Sequence, residues 1–396
     1  MRAFSVLLIC LCCVVTAFAG RRRGNAPDLA TIQLPADFSI DYSLALNNRA
    51  KVTGGSAPVT GTKLNEAGDV VFQALTQESM VSGLGLPYKW RLTVLDDGVM
   101  NAGSLSDGEI TVNGANGGLA SLIGTNKGLW AAVLSHEISH TAYRHGVRQF
   151  MYQYQVQQQI AYYEWRVRNG DKNANWSIVG LRIGSAIAAK KLSRDLEHDA
   201  DVKGMMLMAR AGYHPDNIFA LNHLMRLRSG EQSKFAAFFS DHPSWETRDQ
   251  RDEKAYSDAV AEYNRLWPSP ELSPGGNPST VVFLGQPHSV EDKKQKLAEV
   301  QVPLLCRNSK APLTVVLKLA KDGHPVQGAE GFKDESGNFS SQTEVACTGA
   351  DSEAHFELPA GTVSDKERKL KAEAFVFEDR ALMERSKQFD VVIPKR

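Results

Sequence analysis

The chain has 396 residues, 42% of them apolar and 23% charged. That excludes a disordered or collagen-like polymer and predicts a globular protein, of two domains on a prior of roughly 150 residues each. Lys plus Arg and Asp plus Glu both number 45, so no overall basic excess points to nucleic acid or to an anionic membrane as a partner.

Arg2, an apolar run over residues 6–15 and Ala17-Phe18-Ala19 read as a cleaved secretory signal, residues 1–19, with Gly20 starting the mature chain. The run is short for the ~20 residues of a membrane span. The expectation is a periplasmic or secreted protein with no integral membrane segment in its mature part. Residues 20–62 are polar with scattered apolar positions and read as an extended lead-in. Residues 63–82 have helical spacing, and 88–94 and 109–112 read as strands on either side of a turn-rich stretch. Residues 129–148 repeat apolar side chains (Trp130, Val133, Leu134, Ile138) at helical spacing, with Thr125 or Asn126 as cap.

Residues 150–168, rich in Gln, Tyr and Arg, predict a long, partly exposed helix. Residues 178–189 are apolar and small; their short length and Arg182 predict a buried helix. A helix over 192–211 stops at Gly212, with Pro215 just beyond. Helices over 218–228 and 245–266 complete this half. The Pro- and Gly-rich stretch 268–279 then breaks the pattern. After it the apolar period becomes two: Leu313-Val315-Leu317-Leu319, Phe356-Leu358 and Phe389-Val391-Ile393. The expected fold class is α+β: a mostly helical domain over 63–267, a linker over 268–279, and a small all-β, sandwich-like domain over 280–396. Three cysteines lie in the signal segment. Cys306 and Cys347 are left, and in an oxidising compartment they predict one disulfide, two separate buried thiols being the other reading.

The chemistry is concentrated in His136-Glu137-Ile138-Ser139-His140. Residues four apart share a helix face, so two imidazoles can bind one zinc ion while the adjacent Glu137 reaches the attacking water as general base. A catalytic zinc needs a third protein ligand. A third His six residues after His140 is absent, because residue 146 is Gly. A downstream carboxylate remains. Glu197 and Asp201 are four apart on the next acidic helix, so Glu197 can ligate the metal and Asp201 can accept the spare N–H of a ligand His. Taken alone, that acidic run reads equally well as a solvated helix face. His145 reads as a helix-terminal group or a support behind a ligand.

These segments resemble the HtpX-like and Oma-like branch of the CAAX-prenyl-endopeptidase-type zinc proteases, a gluzincin group. The resemblance rests on HEISHTAYRHG (136–146), SRDLEHDADVKG (193–204), MARAGYHPD (208–216), His242-Pro243 with Arg248, and the Asn101-Ala102 strand region. It covers about residues 63–266. Gly103-Ser104-Leu105-Ser106 departs from the aromatic and Pro that family members carry after Asn-Ala. The resemblance implies a zinc metalloendopeptidase with one Zn²⁺ per chain, held by His136, His140 and Glu197. It makes Glu137 and His242 catalytic, and Asp201 and Arg248 supporting. Expected partners are protein or peptide substrates, misfolded exported proteins among them, in envelope quality control. The competing reading is an exported chaperone or scaffold with a β-sandwich binding module and little proteolytic activity.

Overall fold

The structure, a computed structural model, describes residues 32–228, 253–364 and 369–395. His242 and Arg248 lie outside the described residues, as does the predicted signal segment. Helix α1 (Ser39–Thr53) is followed by strand β1 (Pro58–Val59), α2 (Lys63–Gln77), α3 (Ser79–Ser82), β2 (Arg91–Leu95), β3 (Ala102–Ser104) and β4 (Glu109–Val112). Then come α4 (Leu119–Ile123), α5 (Lys127–Ala142), α6 (His145–Arg168), α7 (Ala174–Arg210), α8 (Asp216–Arg228) and α9 (Glu253–Leu266). The β-rich half contains β5 (Val281–Leu284), β6 (His288–Asp292), β7 (Leu297–Arg307), β8 (Leu313–Lys321), β9 (His324–Pro325) and β10 (Ser340–Val345). It ends with β11 (Asp351–Pro359), β12 (Lys369–Glu378), β13 (Ala381–Arg385) and β14 (Phe389–Val392). The fold is therefore α+β, with helices and several largely antiparallel sheets.

Local chemistry sets the helix ends. Thr62 and Asn65 form a reciprocal capping box at the start of α2. The helix predicted over 63–82 breaks at Glu78, whose backbone is extended and whose carboxylate accepts a hydrogen bond from Arg210 Nε at 2.9 Å. Asn126 caps α5 by accepting from the Leu129 amide. The helix predicted over 129–148 is likewise two helices. Arg144 sits at φ +56°, in the left-handed region that a non-glycine residue rarely occupies.

Tertiary contacts hold that break. The Arg144 guanidinium donates to both carboxylate oxygens of buried Asp41 and to the carbonyls of Pro35 and Asp37, and it lies over the Phe38 ring at 4.5 Å. This corrects the extended lead-in: residues 39–53 are helical. Few side chains of α1 are buried, so no apolar stripe announced it. Ion pairs fix it instead, Asp41–Arg144 at one end and Arg49 with Asp107 and Glu109 at the other.

The first sheet has the order β1-β2-β4-β3, with β2 and β4 parallel and the other pairs antiparallel. One apolar core joins this sheet to α2, α5 and α8, around fully buried Trp130, Leu134, Ile138 and Ile110. Each such side chain contributes about 1.5–3 kcal/mol relative to exposure. A separate core fills the β-rich half, between the sheet β10-β8-β12-β13 and the sheet β11-β7-β5. Its inner faces are built from alternate residues, Val300, Val302 and Leu304 of β7 against Leu313, Val315, Leu317 and Leu319 of β8. Cys306 and Cys347 are joined, with Cα atoms 5.1 Å apart. The halves meet through α8. Buried Asp216 accepts from Arg307 and Asn308, and His223 faces Glu384 at 3.6 Å.

One expectation fails clearly. Residues 178–189 are not a separate buried helix. They belong to the 37-residue α7, and most of them are exposed there. Ala188 is the only buried position among them.

Candidate metal centre

α5 brings His136, Glu137 and His140 to one face, and α7 runs against it. Gly204 makes that approach possible: a Cβ there would lie 3.2 Å from the Ser135 carbonyl and the His136 amide. Gly204 is three residues past Asp201 and seven past Glu197, so all three share the face of α7 turned to α5.

The close approach assembles a three-residue group. His136 Nε2 and His140 Nε2 lie 3.0 Å apart, with Glu197 oxygens 3.5 and 3.4 Å from them. Among the described residues, these three form the group able to hold a metal ion. Zn–N and Zn–O bonds of about 2.0–2.2 Å in tetrahedral geometry put neighbouring ligand atoms about 3.3 Å apart, so the donor set and its spacing fit a zinc ion. Glu197 is buried, and the two histidines are half-buried.

Each imidazole is held from behind. His136 Nδ1 lies 2.9 Å from Asp201 Oδ1. His140 Nδ1 lies 3.0 Å from His145 Nδ1, and His145 Nε2 lies 3.1 Å from Asp199 Oδ2. With neutral rings whose Nε2 lone pairs face the metal position, one proton pattern satisfies the set. His136 Nδ1–H donates to Asp201. His140 Nδ1–H donates to His145, whose Nε2–H donates to Asp199. Burial pushes the His145 pKa below its ordinary value, against the hydrogen bond and charge of Asp199. Burial works to raise the Asp199 carboxyl, but the His145 hydrogen bond and nearby cations hold it below the usual range.

Within an unbroken helix, His145 would lie about 140° round from His140. The left-handed Arg144 returns its ring to His140. The sequence placed His145 only as terminal or supporting. Asp199 had no assigned role, and neither did Gly204.

Glu137 is buried and faces two spaces. One is a pocket of about 40 Å³ lined by Ala102, Val133, Ile218 and Leu221. The other is a cleft of about 720 Å³ bordered by Asn101 to Ser106, His140, His145 and Glu197. Its far wall is α1, through Leu44, Asn48 and Lys51, a contribution that no local sequence signal indicated. Thr141 Oγ1 donates to the Leu105 carbonyl at 3.0 Å, tying the histidine helix to the segment after edge strand β3.

Residues 71–253 match the family model of Peptidase family M48. The chain is 29% identical over 204 residues to mitochondrial metalloendopeptidase OMA1 of Schizosaccharomyces pombe, covering 50% of this chain and 57% of that relative. The relative's mitochondrial name overturns the periplasmic or secreted location expected from the N-terminal segment. A compartment read from 19 residues has no support from the fold, because such a segment is an address and not part of the packed domain. No helix among the described residues is long and apolar enough to cross a membrane. An overlay on Pseudomonas fluorescens alkylpurine DNA glycosylase AlkC covers 84% of this chain and 99% of that one, at 8% identity and a TM-score of 0.16, too low to carry any argument. The matched segment, just under half of the chain, contains both the two-histidine helix and the carboxylate helix, and over residues 71–253 the chain is similar to peptidase family M48.

Proposed function

We propose that this chain is a zinc-dependent metalloendopeptidase, with His136, His140 and Glu197 as metal ligands and Glu137 as the proton-transfer group. The observation that carries the reading is the convergence of two Nε2 atoms and a carboxylate at 3.0–3.5 Å, each imidazole backed by its own hydrogen-bond partner. When bound, zinc supplies Lewis acidity toward the scissile carbonyl and toward water.

The remaining steps belong to this chain. Glu137 takes the proton of the attacking water as its oxygen adds to the carbonyl carbon. It returns that proton to the nitrogen as the C–N bond breaks and the amine leaves. Asp201 and the His145–Asp199 pair keep the two imidazoles in one tautomer and orientation. β3 ends its sheet, and residues 101–106 line the cleft, so an extended polypeptide can lie along that edge. In this reading, residues 63–267 are the peptidase domain and 280–396 a separately folding β domain. Unfolded or loosely folded polypeptides are the substrates, as protein quality control requires.

The test is cleavage of labelled casein by the purified full chain, with metal analysis and added 1,10-phenanthroline. Expected are about one zinc per chain and cleavage that the chelator abolishes and zinc restores. Cleavage insensitive to the chelator would overturn the reading. A metal-loaded chain with no cleavage would favour the scaffold alternative.

A further inference from the structure

The hairpin of α6 and α7 projects from the body of the protein. α7 has 37 residues and so measures about 55 Å. Its C-terminal part packs against α5 and α9, but between Ala174 and Ala188 no residue is buried. Apolar side chains in this stretch are exposed on one face. Trp176 is 78% exposed and Ile187 67%, with Val179 and Ile183 between them at steps of three and four residues. Gly180 and Gly184 lie on the same face, and nothing stands within 4 Å of where a Cβ would be. At the turn, α6 adds Tyr162 and Trp165, more than half exposed, with rings stacked at 6.3 Å.

The charge of this hairpin differs from that of the chain. Residues 162–191 hold six Lys or Arg against two carboxylates, whereas the whole chain is neutral. Glu164 and Asp171 are already matched, to Arg182 and Arg166. Lys190 continues the apolar face three residues after Ile187, and Lys172 stands in the turn just before α7, close to its exposed Trp176 end.

We propose that this face of the α6–α7 hairpin docks on an anionic lipid bilayer surface. Trp and Tyr settle at the headgroup level, an apolar helical stripe sinks into the acyl boundary, and lysines at its ends meet lipid phosphates. A second copy is a poorer occupant. A two-fold antiparallel pairing of the stripe would set Lys172 against Lys190 of the second copy, like charge against like charge, at both ends. Along the helix, Glu197 is 21 residues from Trp176, so docking holds the candidate metal centre about 30 Å or less from the tip and leaves the cleft open.

Vesicle co-sedimentation of the full chain tests this. The vesicles are phosphatidylcholine mixed with phosphatidylglycerol, and phosphatidylcholine alone. The full chain should partition onto the mixed vesicles and be released by salt. A triple variant, Trp176→Ser with Ile183→Ser and Ile187→Ser, should partition roughly tenfold less. The pair Lys172→Glu and Lys190→Glu should lose the preference for the anionic mixture while retaining metal. Wild-type chain left in the supernatant, or both variants partitioning like wild type, overturns the proposal. A wild-type dimer that the triple variant disperses, without vesicle binding, overturns it in favour of self-association. If the triple variant fails to fold, the charge-reversed pair decides alone.

Discussion

His145 Nδ1 lies 3.0 Å from His140 Nδ1, and its other ring nitrogen lies 3.1 Å from Asp199 Oδ2. A candidate metal ligand is thus backed by an imidazole, which is backed by a carboxylate. His145→Ala should lower zinc affinity about 10–100-fold, because His140 loses the acceptor that fixes its tautomer. Competition with a chromophoric chelator measures this. The cobalt-substituted protein should also show a changed visible spectrum, which a remote packing defect would leave alone. Affinity and spectrum equal to wild type would remove His145 from the centre.

Glu137→Gln should keep zinc and lose cleavage by roughly 10²–10⁴ in rate, the usual worth of a positioned general base. Both candidate His ligands and Glu197 remain in place. Turnover and metal content measured on the same preparation check the two halves. A variant that cleaves like wild type refutes the assigned proton path.

Glu197→Ala should lose the metal outright, whereas Asp201→Ala should weaken it about 10–100-fold. The distances motivate the difference. Glu197 oxygens face both Nε2 atoms, while Asp201 meets the far side of the His136 ring. The reverse order of affinities would mean that the two carboxylates have been exchanged.

Reducing Cys306–Cys347 should destabilise the β-rich half and leave zinc content unchanged. The bond spans 41 residues, worth about 4 kcal/mol in the chain-entropy model. Differential scanning calorimetry with and without reductant should show a lower transition for that half. A transition that does not move shows the bond to be dispensable.

His214 should make stability fall in mild acid. Burial against Tyr263, at 4.8 Å between rings, pushes its pKa below its ordinary 6.5, although the Asp216 charge opposes the shift. Above that ordinary value the ring is neutral in both states and its contribution is complete. As pH falls from 6.5 toward the lower folded value, the unfolded chain binds the proton first and stability is lost. Urea unfolding at stepped pH should show a shallower acid loss for His214→Gln. Identical slopes would assign the loss to other groups.

Local sequence determined a good deal of this protein. The HExxH spacing puts two imidazoles on one face of any helix, and Asn126 caps that helix through a bond three residues long. The alternating run Leu313-Val315-Leu317-Leu319 has to bury one face of a strand, and all four are buried. These outcomes depend on neighbours along the chain. The tertiary structure decided what depends on distant partners. Asp41 holds Arg144 in a left-handed conformation across 103 residues, which ends the histidine helix and turns His145 back to His140. Gly204 admits α7 to the backbone of α5, and that approach sets Glu197, which the sequence already offered as a candidate ligand, beside both Nε2 atoms. Residues 178–189 carry the composition of a core helix, yet no element among the described residues covers most of that stretch, because burial belongs to the assembled fold and not to the segment.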